Sequence, residues 1–168
     1  ILSGITTKDP YFKELVTGGM PCVLIDVNLK GKGLGCVSMG NRKAAAEITQ
    51  YLVDHGHREI MVIAGKKEAA VNSERVNSVI STLALNGIVL KESRIAHCGF
   101  SEEKAYKFTL EYLKEHGKKE VTAFLCLSDL MAFGCMKAMK ECGYSVPDDF
   151  SITGFDNNPL TMYTSPQL

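Results

Sequence analysis

The chain has 168 residues, of which 45% are hydrophobic and 23% are charged. This is the composition of an ordinary globular protein, and it excludes a disordered or fibrous chain. Lysine and arginine total 19, and aspartate and glutamate also total 19, so this segment has no net positive charge with which to hold nucleic acid.

Apolar runs and amphipathic stretches alternate from the start of the chain. The first part predicts a strand in ILSGI, a short helix in YFKELVTGG ended by Gly18 and Gly19, and a strand in PCVLIDV. A connection, GKGLG, leads to the strand-like CVSM. The helix NRKAAAEITQYLVDHG follows with a 3.6-residue period, and we predict that Asn41 caps its start and Gly56 its end.

The same alternation continues to the end of the chain. The remaining predicted strands are EIMVIAG, RIAHCGF, AFLCLS and FSITGFD, and the helices between them are NSERVNSVISTLALNG, SEEKAYKFTLEYLKEHG and DLMAFGCMKAMKECG. Continuously apolar strands that alternate with helices are typical of a parallel sheet buried on both faces. The sequence therefore predicts an α/β fold with a doubly wound parallel sheet.

Open parallel sheets bind ligands beyond the carboxyl ends of their strands. The residues that follow the predicted strands are therefore candidates for a binding site. They are Asp26, Phe100, Ser101, Ser128, Asp129 and Asp156.

Three residues have both a functional and an ordinary interpretation. Arg75 can fork onto ligand hydroxyls or a carboxylate, or it can be a solvated surface arginine. Asp156 precedes Asn157 and Asn158, so it can bind a ligand or simply form a turn. Phe100 can be a stacking platform or a core residue. Residue types alone leave these alternatives open.

Motifs for catalysis, cofactors and metals are lacking. The run GKGLG leads into a strand-like segment, not a helix, so it indicates a flexible connection and not a dinucleotide loop. Residues 117–119, GKK, lack the spacing of a phosphate-binding loop, and no GxSxG elbow occurs. His55 and His57 have no second ligand pair at the spacing of a zinc site. We expect no enzyme activity, no cofactor and no metal.

The six cysteines show no CxxC pair, and most lie in apolar runs. Buried thiols in a reducing cytosol are the interpretation that this pattern favours. They are Cys22, Cys36, Cys98, Cys126, Cys135 and Cys142.

Four motifs resemble the LacI/GalR-type transcription repressors. The segment VPDDFSITGFDNNPLTMYTSPQL resembles their C-terminal signature, with Gly154, Phe155 and Asp156 followed by Pro166 and Leu168. Upstream, HGHREIMVIAG is similar to their Gly-His-Arg strand, NSERVNSVI to their arginine-containing helix and SDLMAFGCMKAMKECG to their Asp-x-Met-Ala-x-Gly helix. The four occur in family order and cover nearly the whole chain.

The resemblance implies a two-lobed fold like that of periplasmic binding proteins. Residues 1–39 would be the latter part of the N-terminal lobe, 40–157 the C-terminal lobe and 158–168 a crossover back to the first. Members of the family begin with a helix-turn-helix headpiece and the first βα units of the N-terminal lobe. The resemblance therefore implies that this chain, which starts in an apolar run, is a fragment that lacks the headpiece and part of that lobe.

The resemblance also implies a function: a cytoplasmic sensor that binds a sugar, sugar phosphate or purine between its lobes and thereby controls operator binding. DNA would be contacted only through the headpiece, the partner would be a second copy in a homodimer, and no membrane would be involved. The ligand-binding positions carried over by the motifs are Arg75, Phe100, Ser128, Asp129 and Asp156.

Two other functions remain to be compared. A periplasmic sugar-binding protein shares the architecture, but the six cysteines and the C-terminal signature argue against it. A small α/β enzyme lacks support because no nucleophile, metal or phosphate motif is present.

Overall fold

The computed structural model describes residues 1–3, 9–19, 21–26 and 33–168. These residues form seven strands, five helices and two short 3-10 helices. The strands are β1 (Leu2–Ser3), β2 (Cys22–Ile25), β3 (Leu34–Val37), β4 (Ile60–Ala64), β5 (Ile95–His97), β6 (Ala123–Cys126) and β7 (Ser151–Thr153). The helices are α1 (Phe12–Thr17), α2 (Asn41–Asp54), α3 (Ala70–Leu85), α4 (Glu102–His116) and α5 (Asp129–Glu141), with the 3-10 helices at Glu92–Arg94 and Pro159–Tyr163.

The strands form two separate parallel sheets. The first has the order β1-β2-β3, and the second has the order β5-β4-β6-β7. Every neighbouring pair is parallel, with Cys22 opposite Leu34 in the first sheet and Val62 opposite Leu125 in the second. The predicted α/β class with parallel sheets is confirmed.

Helices cover the second sheet on both faces. From β4 the chain passes through α3 to β5 at one edge, and then returns through α4 to β6 and through α5 to β7 on the other side. Because such crossovers are right-handed, α3 lies on one face, while α4 and α5 lie on the opposite face. The contacts agree, since α2 packs against α3 and α4 packs against α5. This is the predicted doubly wound arrangement.

The core is centred on β4 and β6, the two strands inside the second sheet. Every residue of both strands is buried, which explains their continuous apolar runs. The ring of Phe124, which belongs to β6, meets the ring of Phe150 edge to face with centroids 5.5 Å apart, and Tyr144 packs on Phe150 in the same way.

A glycine in the middle of α5 lets this helix approach α4 closely. A Cβ atom at Gly134 would overlap the carbonyl oxygen of Glu102 and would lie 2.9 Å from the backbone nitrogen of Tyr106. Both neighbours are backbone atoms in the first turns of α4, so they cannot move aside independently of the helix. The spacing of the two helices therefore depends on the absence of a side chain at Gly134.

Some predicted details are wrong or lie outside the described residues. The cap of α2 is Gly40, and Asn41 is the first helical residue, with a side chain that makes no capping hydrogen bond. Gly56 does follow the end of α2, with a φ of 87°. Gly35 lies within β3 and so is not part of a flexible connection, while residues 31 and 32 of GKGLG and residues 4 and 5 of ILSGI fall outside the described residues.

The cysteines divide into a buried and a more accessible set. Cys98, Cys126 and Cys135 are buried, whereas Cys36 is exposed and Cys22 and Cys142 are intermediate, so the expectation of buried thiols is correct for half of them. The Sγ atoms of Cys126 and Cys135 lie 3.8 Å apart. Burial, and then the neighbouring Cys135, raises the pKa of Cys98 to about 11, and burial also raises the pKa of Cys126.

This division predicts selective alkylation. Because the thiolate is the reactive form, iodoacetamide at pH 8 should modify Cys36 in the native protein and leave Cys98 and Cys126 unmodified until urea unfolds the chain. Peptide mass spectrometry before and after unfolding measures this. Rapid native labelling of Cys98 would contradict the buried placement.

Candidate functional site

The carboxyl ends of β4 and β6 form the point where the winding of the second sheet reverses. The chain leaves β4 towards one edge of the sheet and leaves β6 towards the other, so the crossovers diverge between these two neighbouring strands. Such a divergence opens a crevice beyond the strand ends, where α/β proteins commonly bind ligands.

Arg75 occupies this point. Its side chain extends from the second turn of α3, and only 6% of the residue is exposed. Nε donates to Oδ1 of Asn41 at 2.9 Å, Nη1 donates to the carbonyl oxygen of Leu127 at 2.7 Å, and Nη2 pairs with Oδ1 of Asp156 at 3.4 Å. The guanidinium lies 3.7 Å from the ring centroid of Phe155. Arg75 is therefore a buried arginine that links several parts of the chain, and not a solvated surface arginine.

The carboxylates around Arg75 keep its charge compensated. Burial lowers the pKa of Arg75, while Asp156 and, more weakly, Asp26 oppose this change. Arginine remains protonated in proteins, so the guanidinium is a fixed positive charge. Partial burial raises the pKa of Asp156, with Arg75 opposing the shift and Asp129 adding to it.

Arg75 and Asp156 still have hydrogen-bonding groups available for a ligand. A guanidinium has five N–H donors, and three of them are used by the described residues, which leaves one hydrogen on each terminal nitrogen. The side chain of Asp156 is 45% exposed, so its carboxylate is open to a hydroxyl or ring N–H. A charged donor and a charged acceptor thus lie side by side at the crevice.

Ser128 and Asp129 lie next to this pair, and their side chains are engaged by the protein. Oγ of Ser128 accepts from the backbone nitrogen of Met131 and caps α5, while Oδ2 of Asp129 accepts from the backbone nitrogen of Asn158 at 2.6 Å. Both residues are buried. In this geometry Ser128 caps α5 and Asp129 supports the turn that carries Asp156. Direct contact of either residue with a ligand stays a prediction.

The close fit of this turn also depends on Gly154. A Cβ atom there would overlap Oδ1 of Asp129, and the backbone nitrogen of Asp129 donates to the carbonyl oxygen of Phe155 at 2.8 Å. Asp129 therefore binds the turn at both of its ends. The absence of a side chain at Gly154 therefore lets Asp129 approach the turn.

Phe100 lies just beyond β5, with its ring against Gly65 at the end of β4. A Cβ atom at Gly65 would overlap the ring, so that glycine makes room for it. Phe100 is partly buried and packs against the core. The structure places it at the same sheet edge as Arg75, and stacking on a ligand stays a prediction.

Four residues at these strand ends adopt a positive φ that side chains disfavour. In the described part of the chain, the non-glycine residues with this conformation are Asp26, Phe100, Asp156 and Asn157, at 58°, 61°, 107° and 54°. They follow β2, β5 and β7. Each costs on the order of 1 to 3 kcal/mol, and such strain concentrates at binding sites, where geometry matters more than stability.

Two more residues of the cluster, Asn41 and Asp26, lie around Arg75. Asp26 is one of the strand-end candidates that the sequence indicates, whereas Asn41 is predicted from the sequence only as a helix cap. Asn41 is 2% exposed, and its Nδ2 donates to Oε2 of Glu74 at 3.4 Å while its Oδ1 accepts from Arg75. Asp26 lies near enough to Arg75 to affect its pKa, and its Oδ1 accepts from the backbone nitrogen of Met39 at 3.3 Å. In the sequence, Asn41 is recognisable only as a polar residue at a strand-to-helix junction, which is also the usual place of a helix cap.

A large cavity lies beside the Arg75 cluster. Its volume is about 790 Å³, and it runs between α2 and β7 with mainly apolar walls that include Ile48, Leu52 and Ile152. It reaches Asp129 and Asp156 but not Arg75 or Phe100. Of the charged pair, only Asp156 therefore lines this cavity.

Two further features of the described residues bear on the predicted chemistry. Among the described residues, no three histidine, cysteine or acidic side chains come together as ligands for a metal ion. No helix in the same residues has the length and apolar character needed to cross a bilayer.

A family model for the periplasmic binding protein-like domain matches residues 49–168. The chain is 27% identical to the transcriptional regulator IpsA of Corynebacterium glutamicum over 180 aligned positions, which cover 96% of the chain and 50% of IpsA. It is 35% identical to the transcriptional repressor CytR of Escherichia coli over 135 positions, or 80% of the chain and 39% of CytR. The chain thus spans about half or less of these relatives.

Solved structures give the same result. A LacI-family regulatory protein from Chloroflexus aggregans superposes with a TM-score of 0.89 at 25% identity, over 99% of the chain and 59% of that protein. A LacI-family sugar-binding transcriptional regulator from E. coli, solved with phosphate, gives a TM-score of 0.83 at 26% identity, over 93% and 56%. The relatives are regulators and not enzymes or transport proteins, and the chain belongs to the periplasmic binding protein-like family in the form found in LacI-type regulators.

Proposed function

We propose that the chain is the effector-sensing core of a cytoplasmic, DNA-binding transcription repressor. The observation that carries the proposal is the buried Arg75 paired with the half-exposed Asp156 at the crevice beyond β4 and β6. A fixed cation beside an open carboxylate favours a ligand with both acceptors and donors, and it discriminates against analogues that lack them.

The ligand class that fits this pair is a small sugar, a sugar phosphate, a nucleoside or a purine. The hydroxyls of a sugar can accept from Arg75 and donate to Asp156, and a purine offers ring nitrogens of both kinds. Phe100 at the same edge would supply a flat apolar surface. The sugar-binding regulator of E. coli supports this class.

No reaction is needed for the proposed role. Ligand binding would shift the population between two arrangements of the lobes, residues 1–39 with 158–168 and residues 40–157, and so change operator affinity. The segment itself has no net charge, so DNA would be contacted by a helix-turn-helix headpiece outside it. Direct binding by Ser128 and Asp129 belongs to the same proposal.

A homodimer is part of the proposal as well. The 3-10 helix Pro159–Tyr163 presents three apolar side chains to solvent: Leu160, Met162 and Tyr163 are 54%, 68% and 84% exposed. A cluster of this kind is typical of a surface that meets another chain. The resemblance to dimeric repressors favours a second copy as that chain.

Calorimetry on the full-length gene product tests the proposal with D-ribose, ribose 5-phosphate, cytidine, adenosine and hypoxanthine. We expect at least one to bind, and we expect Asp156→Asn to weaken it by about 1.5 to 3 kcal/mol because a hydrogen bond to a charged group is weakened. Because the pKa of Asp156 is raised, its carboxylate is protonated at a higher pH than an ordinary aspartate. Binding should therefore weaken as the pH falls, and the weakening should begin above the pH at which an ordinary aspartate is protonated.

The control is Asp148→Asn, an exposed carboxylate outside the cluster, which should leave the affinity unchanged. The proposed ligand class is wrong if none of the five compounds binds. The proposed site is wrong if one binds and the Asp156 variant, correctly folded, binds it equally well.

A further inference from the structure

Residues 38–40 connect β3 of the first sheet to α2, which leads to the second sheet, and hydrogen bonds hold them on both sides. On the side of the first sheet, Oδ1 of Asp26 accepts from the backbone nitrogen of Met39. On the other side, the carbonyl oxygen of Met39 accepts from the backbone nitrogen of Asn41 at 2.7 Å, across Gly40 at φ −71° and ψ 48°. This is close to an inverse γ-turn, which gives the connection one defined shape.

Asn41 joins this connection to Arg75. The Asn41 amide is used at both ends, because Oδ1 accepts from Nε of Arg75 while Nδ2 donates to Glu74. With the residue 2% exposed, water is not available to replace these bonds. The amide orientation is therefore fixed by its partners, with its oxygen toward Arg75.

The bond at Nε determines how the guanidinium plane is rotated. The terminal nitrogens make one short bond, from Nη1 to the carbonyl oxygen of Leu127 at 2.7 Å, and one longer contact of 3.4 Å, from Nη2 to the half-exposed Asp156. The bond of 2.9 Å from Nε to the buried Asn41 adds a second short contact on another edge of the group, so the plane and the unused hydrogens on the terminal nitrogens have a set direction. Binding groups held by such supporting residues lose less conformational freedom when a ligand arrives.

We infer that Asn41 is a positioning residue that orients Arg75 for the ligand and links the state of Arg75 to the connection between the sheets. The inference rests on the proposed function for the ligand, and the positioning itself rests on the geometry above. A continuous series of hydrogen bonds runs from Asp26 through Met39 and Asn41 to Arg75 and Asp156. Through these bonds, a displacement of Arg75 on ligand binding would also change the position of residues 38–40.

The test uses two variants of Asn41. Asn41→Leu has a similar branched shape but no acceptor for Nε. Asn41→Asp keeps this acceptor, loses the donation to Glu74 and places a second carboxylate beside Glu74. Arg75 on one side and Arg42, 3.7 Å from Glu74, on the other offset the added charge. The control is Asn86→Ala at the far end of α3. It removes another side-chain amide, whose Nδ2 donates to Oε1 of Gln50 and to the backbone carbonyl oxygen of Thr82.

Side-chain ¹H–¹⁵N spectra provide a measurement that does not need a ligand. The chain has four arginines, so the Nε signal of Arg75 can be assigned by substitution. We expect Asn41→Leu to shift this signal and to speed its exchange with water, and we expect Asn41→Asp to restore slow exchange. Arg75→Lys, which lacks Nε–H, should shift the backbone amide signals of Met39 and Gly40, while Arg58→Lys should not.

Affinity for D-ribose and cytidine is measured on the same variants of the full-length protein. Asn41→Leu should weaken binding by about tenfold or more, which is the loss of roughly 1.4 kcal/mol, and Asn41→Asp should stay within about threefold of the unsubstituted protein. Asn86→Ala should lower stability without changing the affinity or the Arg75 signal.

Asn41 is only a structural residue if Asn41→Leu lowers stability but leaves the Arg75 signal and the affinity unchanged. The same conclusion follows if Asn41→Asp is folded and restores neither. If neither D-ribose nor cytidine binds the unsubstituted protein, this choice of ligands is wrong, and the spectra alone still decide whether Asn41 orients Arg75.

Discussion

Replacing Arg75 with methionine should lower the free energy of unfolding by about 2 to 4 kcal/mol, measured by urea denaturation with an unchanged slope. Methionine fills much of the volume but donates nothing, so the carbonyl oxygen of Leu127 and Oδ1 of Asn41 lose their buried partner. Each unsatisfied buried group costs on the order of 1 to 3 kcal/mol, and the sum is reduced because the groups share one partner.

The matched control is Arg58→Met. Arg58 is exposed and donates one bond, from Nη1 to the carbonyl oxygen of Asn86, so its loss should change stability by less than about 1 kcal/mol. Equal effects of the two substitutions would contradict the buried hydrogen bonds described for Arg75. An additional loss of ligand affinity confined to Arg75→Met is the result that the proposed function requires.

Replacing Gly134 with alanine should destabilise the protein by about 2 to 3 kcal/mol, the upper part of the range for overpacking. Alanine is the better helix former by roughly 1 kcal/mol, so an isolated helix would gain from the change. Here the added Cβ overlaps the backbone of α4 at Glu102, and relief requires the two helices to separate. Thermal or urea unfolding monitored by circular dichroism measures the difference.

Ser81→Ala is the comparison for this substitution. Ser81 is an exposed position inside α3, where the gain in helix propensity acts without a steric cost. It should be neutral or slightly stabilising. A stabilising Gly134→Ala would show that α4 and α5 are less closely packed than described.

Much of the fold is predictable from local sequence. The apolar runs of β4 and β6 are continuous because both strands are interior and covered on both faces, and the amphipathic period of α2 and α4 follows from packing on one side only. These are properties of short segments. They determine the order of elements, and the strand-to-helix alternation then determines that the sheets are parallel.

The site is less predictable because its contacts are distant in sequence. Arg75 is recognisable as buried only when β6 and β7 are in place, since its partners Leu127 and Asp156 are 52 and 81 residues away. The family motifs named Arg75 and Asp156, but propensity alone favoured an exposed arginine and a turn aspartate. For Asn41, the local signal for a helix cap was misleading because Arg75, 34 residues away, competes for its oxygen.

The Arg75 cluster also bears on how long the protein survives in a cell. Its members come from the beginning, middle and end of the C-terminal part of the chain, so a partly folded molecule lacks the proposed binding site. A ligand held there stabilises only the complete fold, by about 2.7 kcal/mol at a concentration 100 times its dissociation constant. Since proteases degrade opened molecules, ligand concentration would set the amount of this protein as well as its state.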